Sequence, residues 1–152
     1  DMLAAARAYD AGHGSTGLYN PDNYDHDICL FQPVAPVEIW TGTANGGGKG
    51  TWINGHKTVE AITHEMGHNW GLSDCFAWQA DSMSDPLASG SYSNWKDYFD
   101  TMGTPPSWSH YSARGKHYLQ WMPDEDALRV TASGTYRLYL SLIHISEPTR
   151  PY

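Results

Sequence analysis

The sequence predicts an α+β fold, a twisted mixed sheet in the N-terminal half with one strong helix packed beneath it. Three observations predict this fold. Short β-prone segments separated by Gly- and Asn-rich turns fill the first part of the chain, and one long amphipathic pattern follows them. Residues 73–100 are polar and aromatic without a clear period. We therefore expect an irregular C-terminal lobe with one helix, and a cleft between the two halves.

Composition excludes several classes of protein. The 152 residues suffice for one domain, or for one domain and the start of another. With 17 acidic and 9 basic residues the net charge is −8, so a nucleic-acid partner is not expected. No apolar run has the length of a membrane-spanning helix, which argues against insertion into a membrane. Seven Trp and ten Tyr with only 17% charged residues argue against disorder, and this composition is common in secreted proteins. We expect a monomer.

The N-terminal elements are predicted from local composition. Residues 2–9 are rich in Ala and favour a helix, and residues 12–23 have the Gly, Asn, Ser and Pro content of a loop. Residues 24–31 end in an apolar run of strand length, which predicts a buried strand. A second strand is possible at 38–43.

The central part of the chain carries the clearest pattern. Residues 45–50 predict a turn, and Thr51–Asn54 a short strand. The strongest helix is predicted for 57–70, with Gly71 as its C-terminal stop. Apolar residues recur there at spacings of three, four and four and form one stripe, Val59, Ile62, Met66 and Trp70.

Beyond the irregular stretch, residues 109–121 predict a second helix and residues 130–139 a hairpin. Residues 140–151 resemble the translation of a transposase adapter used in sequencing-library preparation, so residues 140–152 are treated as an artefact. The chain also begins as though inside a helix, which indicates N-terminal truncation. We therefore expect a main domain at 1–124 and the start of a downstream β-domain at 125–139.

The chemistry of the chain is concentrated on the strong helix. His64 and His68 lie one turn apart on one face, nearly opposite the apolar stripe. This is the arrangement that Zn²⁺ needs from its first two ligands. Glu65 flanks the pair and can act on a water molecule without ligating the metal.

The residues after the helix suggest the third ligand, because catalytic zinc takes three protein ligands and a water molecule. Gly71 allows a turn with positive φ, and Asp74 can then return to the His pair, which gives the motif HExxHxxGxxD. Asp81 and Asp85 are alternative third ligands. Glu125 lies in an apparent loop and is a poor candidate.

The combined motifs resemble the metzincin clan of zinc endopeptidases, in particular the gametolysin-like and immune-inhibitor-A-like secreted branches. Residues 99–103 match the Met-turn of the clan, with Met102 as its methionine. The counterparts of the family motifs are Gly50–Asn54, His64–Leu72, Asp100–Gly103 and Leu119–Trp121, and the resemblance spans about residues 1–139. Many gametolysin-like relatives have His where this chain has Asp74. Some metzincins have Tyr where this chain has Thr104, so the group that stabilises the oxyanion is unassigned.

The resemblance implies a secreted, extracellular zinc metalloendopeptidase whose catalytic domain is residues 1–124. His64, His68 and Asp74 would hold Zn²⁺, Glu65 would be the general base toward a zinc-activated water, and Met102 would pack beneath the metal. An edge strand would bind the polypeptide substrate, which assigns Gly50, Thr51, Trp52 and Ile53 to substrate binding. For Trp52 and Ile53, core packing is an equal alternative.

Two other functions stay open at this point. The chain could be an inactive pseudoprotease that serves as a binding module, for which the Asp at position 74 is the only argument. It could also be a zinc hydrolase that acts on something other than peptides. Cys29 and Cys75 either form a disulfide, worth roughly 3–4 kcal/mol for the chain between them, or are two separate buried thiols.

Overall fold

The computed structural model describes residues 4–5, 8–9, 12, 23–34, 41–55, 58–85, 87–93, 95–104 and 109–137. Within these ranges the fold is α+β, with two helices and two small sheets. The elements in chain order are β1 (Ile28–Phe31), β2 (Gly42–Ala44), β3 (Thr51–Asn54), α1 (Val59–Asn69), β4 (Ala77–Ala80), β5 (Gly90–Ser93) and α2 (Ala113–Tyr118), followed by a 3-10 turn at Asp124–Asp126. None of the described helices is long and apolar enough to cross a membrane.

The first sheet is mixed, as predicted, and β3 is its central strand. β3 pairs with β1 in parallel and with β2 in antiparallel orientation, so the strand order is β1-β3-β2. Thr51, Ile53 and Asn54 are completely buried. β-Branched residues such as Thr51 and Ile53 suit a strand that is paired on both sides and covered by a helix. This strand forms the centre of the small core.

The strand predicted in the apolar run that ends residues 24–31 is found as Ile28–Phe31. Its predicted burial is wrong, because Ile28 and Leu30 stay 42% and 48% exposed. The physical reason is that β1 pairs only with β3 among the described strands, so it lies at an edge of the sheet. The possible strand at 38–43 is found as β2, which starts at Gly42, whereas residues 35–40 lie outside the described part.

Helix α1 begins and ends as local sequence rules predict. Thr58 is the N-cap, and its side chain accepts a hydrogen bond from the Ala61 amide at 3.2 Å. At the other end Gly71 has a φ of +91°, and its amide donates to the His68 carbonyl at 2.9 Å. The Leu72 amide donates to the Gly67 carbonyl at 2.9 Å, which completes a Schellman motif. The chain therefore reverses direction just before Asp74.

The buried face of α1 is not the predicted apolar stripe. Val59 is 48% exposed, whereas Glu65, Gly67 and Asn69 are buried. The helix packs on two flanks, because Asn69 faces the sheet and Gly67 faces the C-terminal lobe. The Asn69 amide donates to the Gly50 carbonyl at 3.0 Å, and its Oδ1 accepts from the Thr51 hydroxyl at 2.7 Å. A single stripe cannot describe a helix held between two layers.

Aromatic rings join the end of α1 to the C-terminal lobe. Trp70, Tyr111 and Trp121 contact one another edge to face, with ring centroids 5.2–6.1 Å apart. The Tyr111 hydroxyl also donates to the Thr63 carbonyl of α1 at 2.5 Å. Contacts of this kind stabilise the packing beyond the area that they bury. The C-terminal lobe is thereby fixed against the helix that carries the His pair.

The stretch 73–100, predicted to be irregular, contains an antiparallel hairpin of β4 and β5. Trp78 pairs with Tyr92 across the strands, and their rings lie 5.2 Å apart. Sequence reasoning missed the hairpin because a nine-residue connection separates two four-residue strands of mixed composition.

The remaining predictions concern the two ends. Within 109–121, α2 forms as predicted but covers only Ala113–Tyr118, with Ser112 as its N-cap. The hairpin predicted at 130–139 is absent from the described residues 130–137, where Val130 is 57% exposed and has no sheet to join. The four described residues within 2–9 are helical, as predicted, but so is Gly12, which was placed in a loop. The rest of 12–22 and residues 138–152 lie outside the described part.

Candidate metal centre

Three candidate ligands meet at the C-terminal half of α1. One carboxylate oxygen, Oδ1 of Asp74, lies 3.2 Å from Nε2 of His64 and 3.3 Å from Nε2 of His68. The two imidazole rings are 5.0 Å apart between centroids. All three ligand atoms lie within 4.8 Å of one another, so this group could hold a metal ion. The Schellman turn at Gly71 is what returns the chain to the His pair.

The second nitrogen of each imidazole fixes the orientation of the ring. Nδ1 of His64 donates to the Thr101 carbonyl at 2.9 Å, and Nδ1 of His68 donates to the Leu72 carbonyl at 2.8 Å. A carbonyl oxygen can only accept, so each Nδ1 carries a hydrogen. Each Nε2 then faces Asp74, and in the neutral form of the ring it offers a lone pair to a metal ion. Metal-ligating histidines are held in this manner by a backbone carbonyl.

One oxygen of the half-buried Asp74 carboxylate lacks a hydrogen-bond partner among the described residues. This oxygen, Oδ1, is itself buried. Two imidazole lone pairs and a carboxylate oxygen repel one another unless a cation or protons lie between them. Ligands 2.0–2.1 Å from a tetrahedral metal ion lie about 3.3–3.4 Å apart, from simple geometry on typical Zn–N distances. The observed 3.2 and 3.3 Å fit such an ion.

Glu65 lies between the metal ligands in sequence, on the flank of α1 that faces β2. Its side chain is only 6% exposed. A Cβ atom built on Gly42 would lie 2.7 Å from Cγ and 2.9 Å from Oε1 of Glu65, so glycine leaves the space that this carboxyl group occupies. Burial raises the pKa of Glu65, the charges of His64 and His68 lower it, and the charge of Asp74 raises it again. The net effect is a raised pKa.

Met102 packs against α1 at Gly67, the residue before His68. It is 1% exposed, and a Cβ atom on Gly67 would lie only 2.3 Å from its Sδ and 3.0 Å from Cε1 of Tyr111. Met102 therefore packs against the bare backbone of Gly67. The Thr101 carbonyl next to it receives the hydrogen bond from His64, so the position of this turn and the orientation of that ligand are linked.

Asp100 is a site residue whose role the sequence did not suggest. It is 2% exposed, and its carboxylate accepts from the Met102 amide at 2.8 Å, the Ser112 amide at 3.1 Å and the Cys75 thiol at 3.3 Å. The Cys75 amide also donates to the Met102 carbonyl at 2.7 Å. Asp100 thus connects the turn of Met102, the neighbour of Asp74 and the start of α2. The only signal in the sequence was its place in the Asp-x-Met-Gly motif.

The two cysteines are free thiols, as the second alternative predicted, and both are half-buried. Burial and the neighbouring Asp100 carboxylate raise the pKa of Cys75 to about 12. This thiol is therefore protonated and acts as a hydrogen-bond donor to Asp100.

The predicted edge strand is the wrong one. Gly50–Asn54 includes β3, which is paired on both sides and buried, so its backbone has no free edge for a substrate. Ile53 is completely buried, in agreement with its structural alternative, whereas Trp52 is only half-buried. The strand that borders the open cleft is β2, and the cleft has a volume of about 690 Å³. Its walls include Gly42 and Ala44 of β2, the His pair, and Thr104 on the opposite side.

Of the predicted site residues, the structure brings together His64, Glu65, His68 and Asp74, and it packs Met102 against Gly67 of the same helix. The alternative ligands Asp81, Asp85 and Glu125 are exposed and take no part in the only candidate metal group found among the described residues. Comparison with known proteins finds no matching family model, no matching curated protein and no matching solved structure.

Proposed function

We propose that this chain is a secreted, monomeric zinc metalloendopeptidase of the metzincin type. One observation carries the proposal: the Nε2 atoms of His64 and His68 lie beside an oxygen of Asp74 that accepts no hydrogen bond from the described residues. The buried Glu65 lies next to this group. Two His and one Asp leave a fourth position free, which is typical of a catalytic zinc site. The motif resemblance supports the same function.

His64, His68 and Asp74 would hold the ion in this proposal. Zn²⁺ bound there would lower the pKa of a water molecule to about 7 and polarise a carbonyl group. The Thr101 and Leu72 carbonyls keep both imidazoles in the tautomer that can ligate. The chain itself therefore supplies the orientation of the ligands, and a structural change in either carbonyl would weaken the site.

Glu65 would act as the general base and then as the general acid. It accepts the proton of the attacking water molecule at its carboxylate and passes the proton to the leaving amine. Burial raises the pKa of Glu65, which makes its carboxylate a stronger base than that of an exposed glutamate. Gly42 leaves the room in which this carboxyl group sits.

Strand β2 would bind the polypeptide. The Asn54 amide donates to the Thr41 carbonyl at 2.9 Å, and the Asn45 amide donates to the Gly50 carbonyl at 3.0 Å. The backbone groups of Thr41 and Asn45, one at each end of β2, therefore point toward β3. Backbone groups alternate along an antiparallel strand, and those of Gly42 and Ala44 therefore point to the other side, toward the cleft. An extended substrate can add to this free edge as a further strand.

The test is the variant Glu65→Gln, which keeps the size of the side chain and removes the base. It should retain zinc and lose cleavage of an unfolded protein such as casein by a factor of about 10² or more. Glu125→Gln, at an exposed position, is the matched control and should cleave like the wild type. Unchanged cleavage by Glu65→Gln would reject the mechanism. A folded, zinc-loaded wild type without activity would favour the pseudoprotease instead.

A further inference from the structure

We infer that Glu60 gives the cleft a preference for a substrate with a Lys or Arg side chain close to the scissile bond. The inference rests on the proposed function and names the class of substrate. Glu60 lies in the first turn of α1 and forms part of the cleft wall, together with Thr58, Ala61 and His64.

The first support is the charge of the cleft wall. Three acidic residues lie on it, Glu60, Glu65 and Asp74, and the proposed chemistry uses the last two. No Lys or Arg is present on the wall among the described residues. The side chain of Glu60 is half-buried and forms no hydrogen bond or ion pair with any described residue. Its carboxylate is thus available to a cation that enters the cleft, and the net charge of −8 would attract such a substrate.

The second support is the distance to the metal ligands. Glu60 precedes His64 by four residues of the same helix, and four residues rise about 6 Å along a helix axis. An extended peptide advances about 3.3 Å per residue, so 6 Å is about two residues of substrate. A side chain of Lys or Arg that follows the scissile bond by one or two residues, or precedes it by as many, can therefore reach this carboxylate.

The third support is the only large apolar side chain on the described part of the wall, Trp95. It is 51% exposed, and its φ is +53°, a region that a bulky residue rarely adopts. The remaining wall residues are small or polar, mainly Gly, Ala and Thr. An exposed indole ring can cover the alkyl stem of a long cationic side chain or stack on its charged end. Among the described residues, the wall offers no comparable apolar surface for a bulky aliphatic residue.

A purely structural role for Glu60 makes a different prediction. An acid in the first turn of a helix interacts favourably with the helix dipole, which affects stability and not the choice of substrate. The experiment therefore measures specificity in the full chain loaded with zinc. Quenched fluorogenic peptides of one sequence would carry Lys, Gln or Glu in turn at each of the two positions on either side of the cleaved bond.

The wild type should cleave its best Lys peptide with a kcat/KM about tenfold or more above that of the matching Glu peptide. Glu60→Gln should bring this ratio close to one, and Glu60→Lys should invert it. Glu125→Gln, an exposed acid outside the cleft wall, should keep the wild-type ratio. The inference is overturned if both Glu60 variants keep the wild-type ratio, or if the wild type cleaves the three peptides equally. Failure to cleave any peptide or casein would reject the proposed function as well.

Discussion

Replacing Gly67 by alanine should disturb the metal centre without touching a ligand. The added methyl carbon would lie 2.3 Å from Sδ of Met102 and 3.0 Å from Cε1 of Tyr111. Non-bonded carbon atoms approach to about 3.5–4.0 Å, and sulfur is no smaller, so Met102 must move by more than about 1 Å. Met102 is 1% exposed, so it cannot move without displacing the residues that pack around it.

The change in the free energy of unfolding of Gly67→Ala is the difference between two opposed effects. Overpacking of this kind costs about 1–3 kcal/mol, whereas Gly to Ala in a helix interior gains about 1 kcal/mol. The free energy of unfolding should therefore fall by roughly 0–2 kcal/mol, from the difference of these two effects. The effect on zinc should be larger, because a shifted Met102 moves the Thr101 carbonyl that orients His64. Loss of such an outer contact typically weakens metal binding by about 10–100-fold.

Zinc affinity would be measured by competition with a chromophoric chelator, and stability by urea unfolding. Gly46→Ala is the matched control, because its added methyl group would meet nothing within 4 Å although Gly46 also lines the cleft. The double variant Gly67→Ala/Met102→Ala should show a favourable coupling of about 1 kcal/mol or more, since the smaller side chain gives room to the methyl group. Wild-type zinc affinity in Gly67→Ala would refute the link between Met102 and the ligands.

Two further predictions concern groups that hold the site. Gly42→Ala places a methyl carbon 2.7 Å from Cγ of Glu65; we expect kcat to fall about tenfold or more because the base is displaced, with zinc binding retained and Gly46→Ala again as control. Asp100→Asn keeps the size of a side chain that accepts three hydrogen bonds, but turns one acceptor atom into a donor. Urea unfolding should show a loss of about 1–3 kcal/mol, and equal stability to the wild type would contradict the structural role of Asp100.

The part of the site that the sequence could predict depends on local structure. The spacing of His64 and His68 places both rings on one helical face, and the positive φ of Gly71 turns the chain back. Asp74 then reaches the His pair, as the extended motif predicted. All of these residues lie within eleven positions of one another, so short-range geometry determines their arrangement.

The features that the sequence could not predict depend on contacts between distant segments. A strand with the composition of β3 can be central or at an edge, and only its pairing with both β1 and β2 excludes a free edge. The spacing of apolar residues also did not predict that Glu65 and Asn69 are buried, because the sheet covers their flank of α1. Asp100 gains its role from the Cys75 thiol and the Ser112 amide, which lie 25 and 12 residues away.

The central claim is that His64, His68 and Asp74 bind one zinc ion, and the direct measurement is zinc content and affinity of the purified chain. Asp74→Ala is the matched variant, and circular dichroism verifies that both proteins are folded. We predict about one zinc per wild-type chain, and at least tenfold weaker binding in the variant because one of three protein ligands is lost. A folded wild type that binds no zinc, or a variant that binds zinc as tightly as the wild type, would contradict the claim.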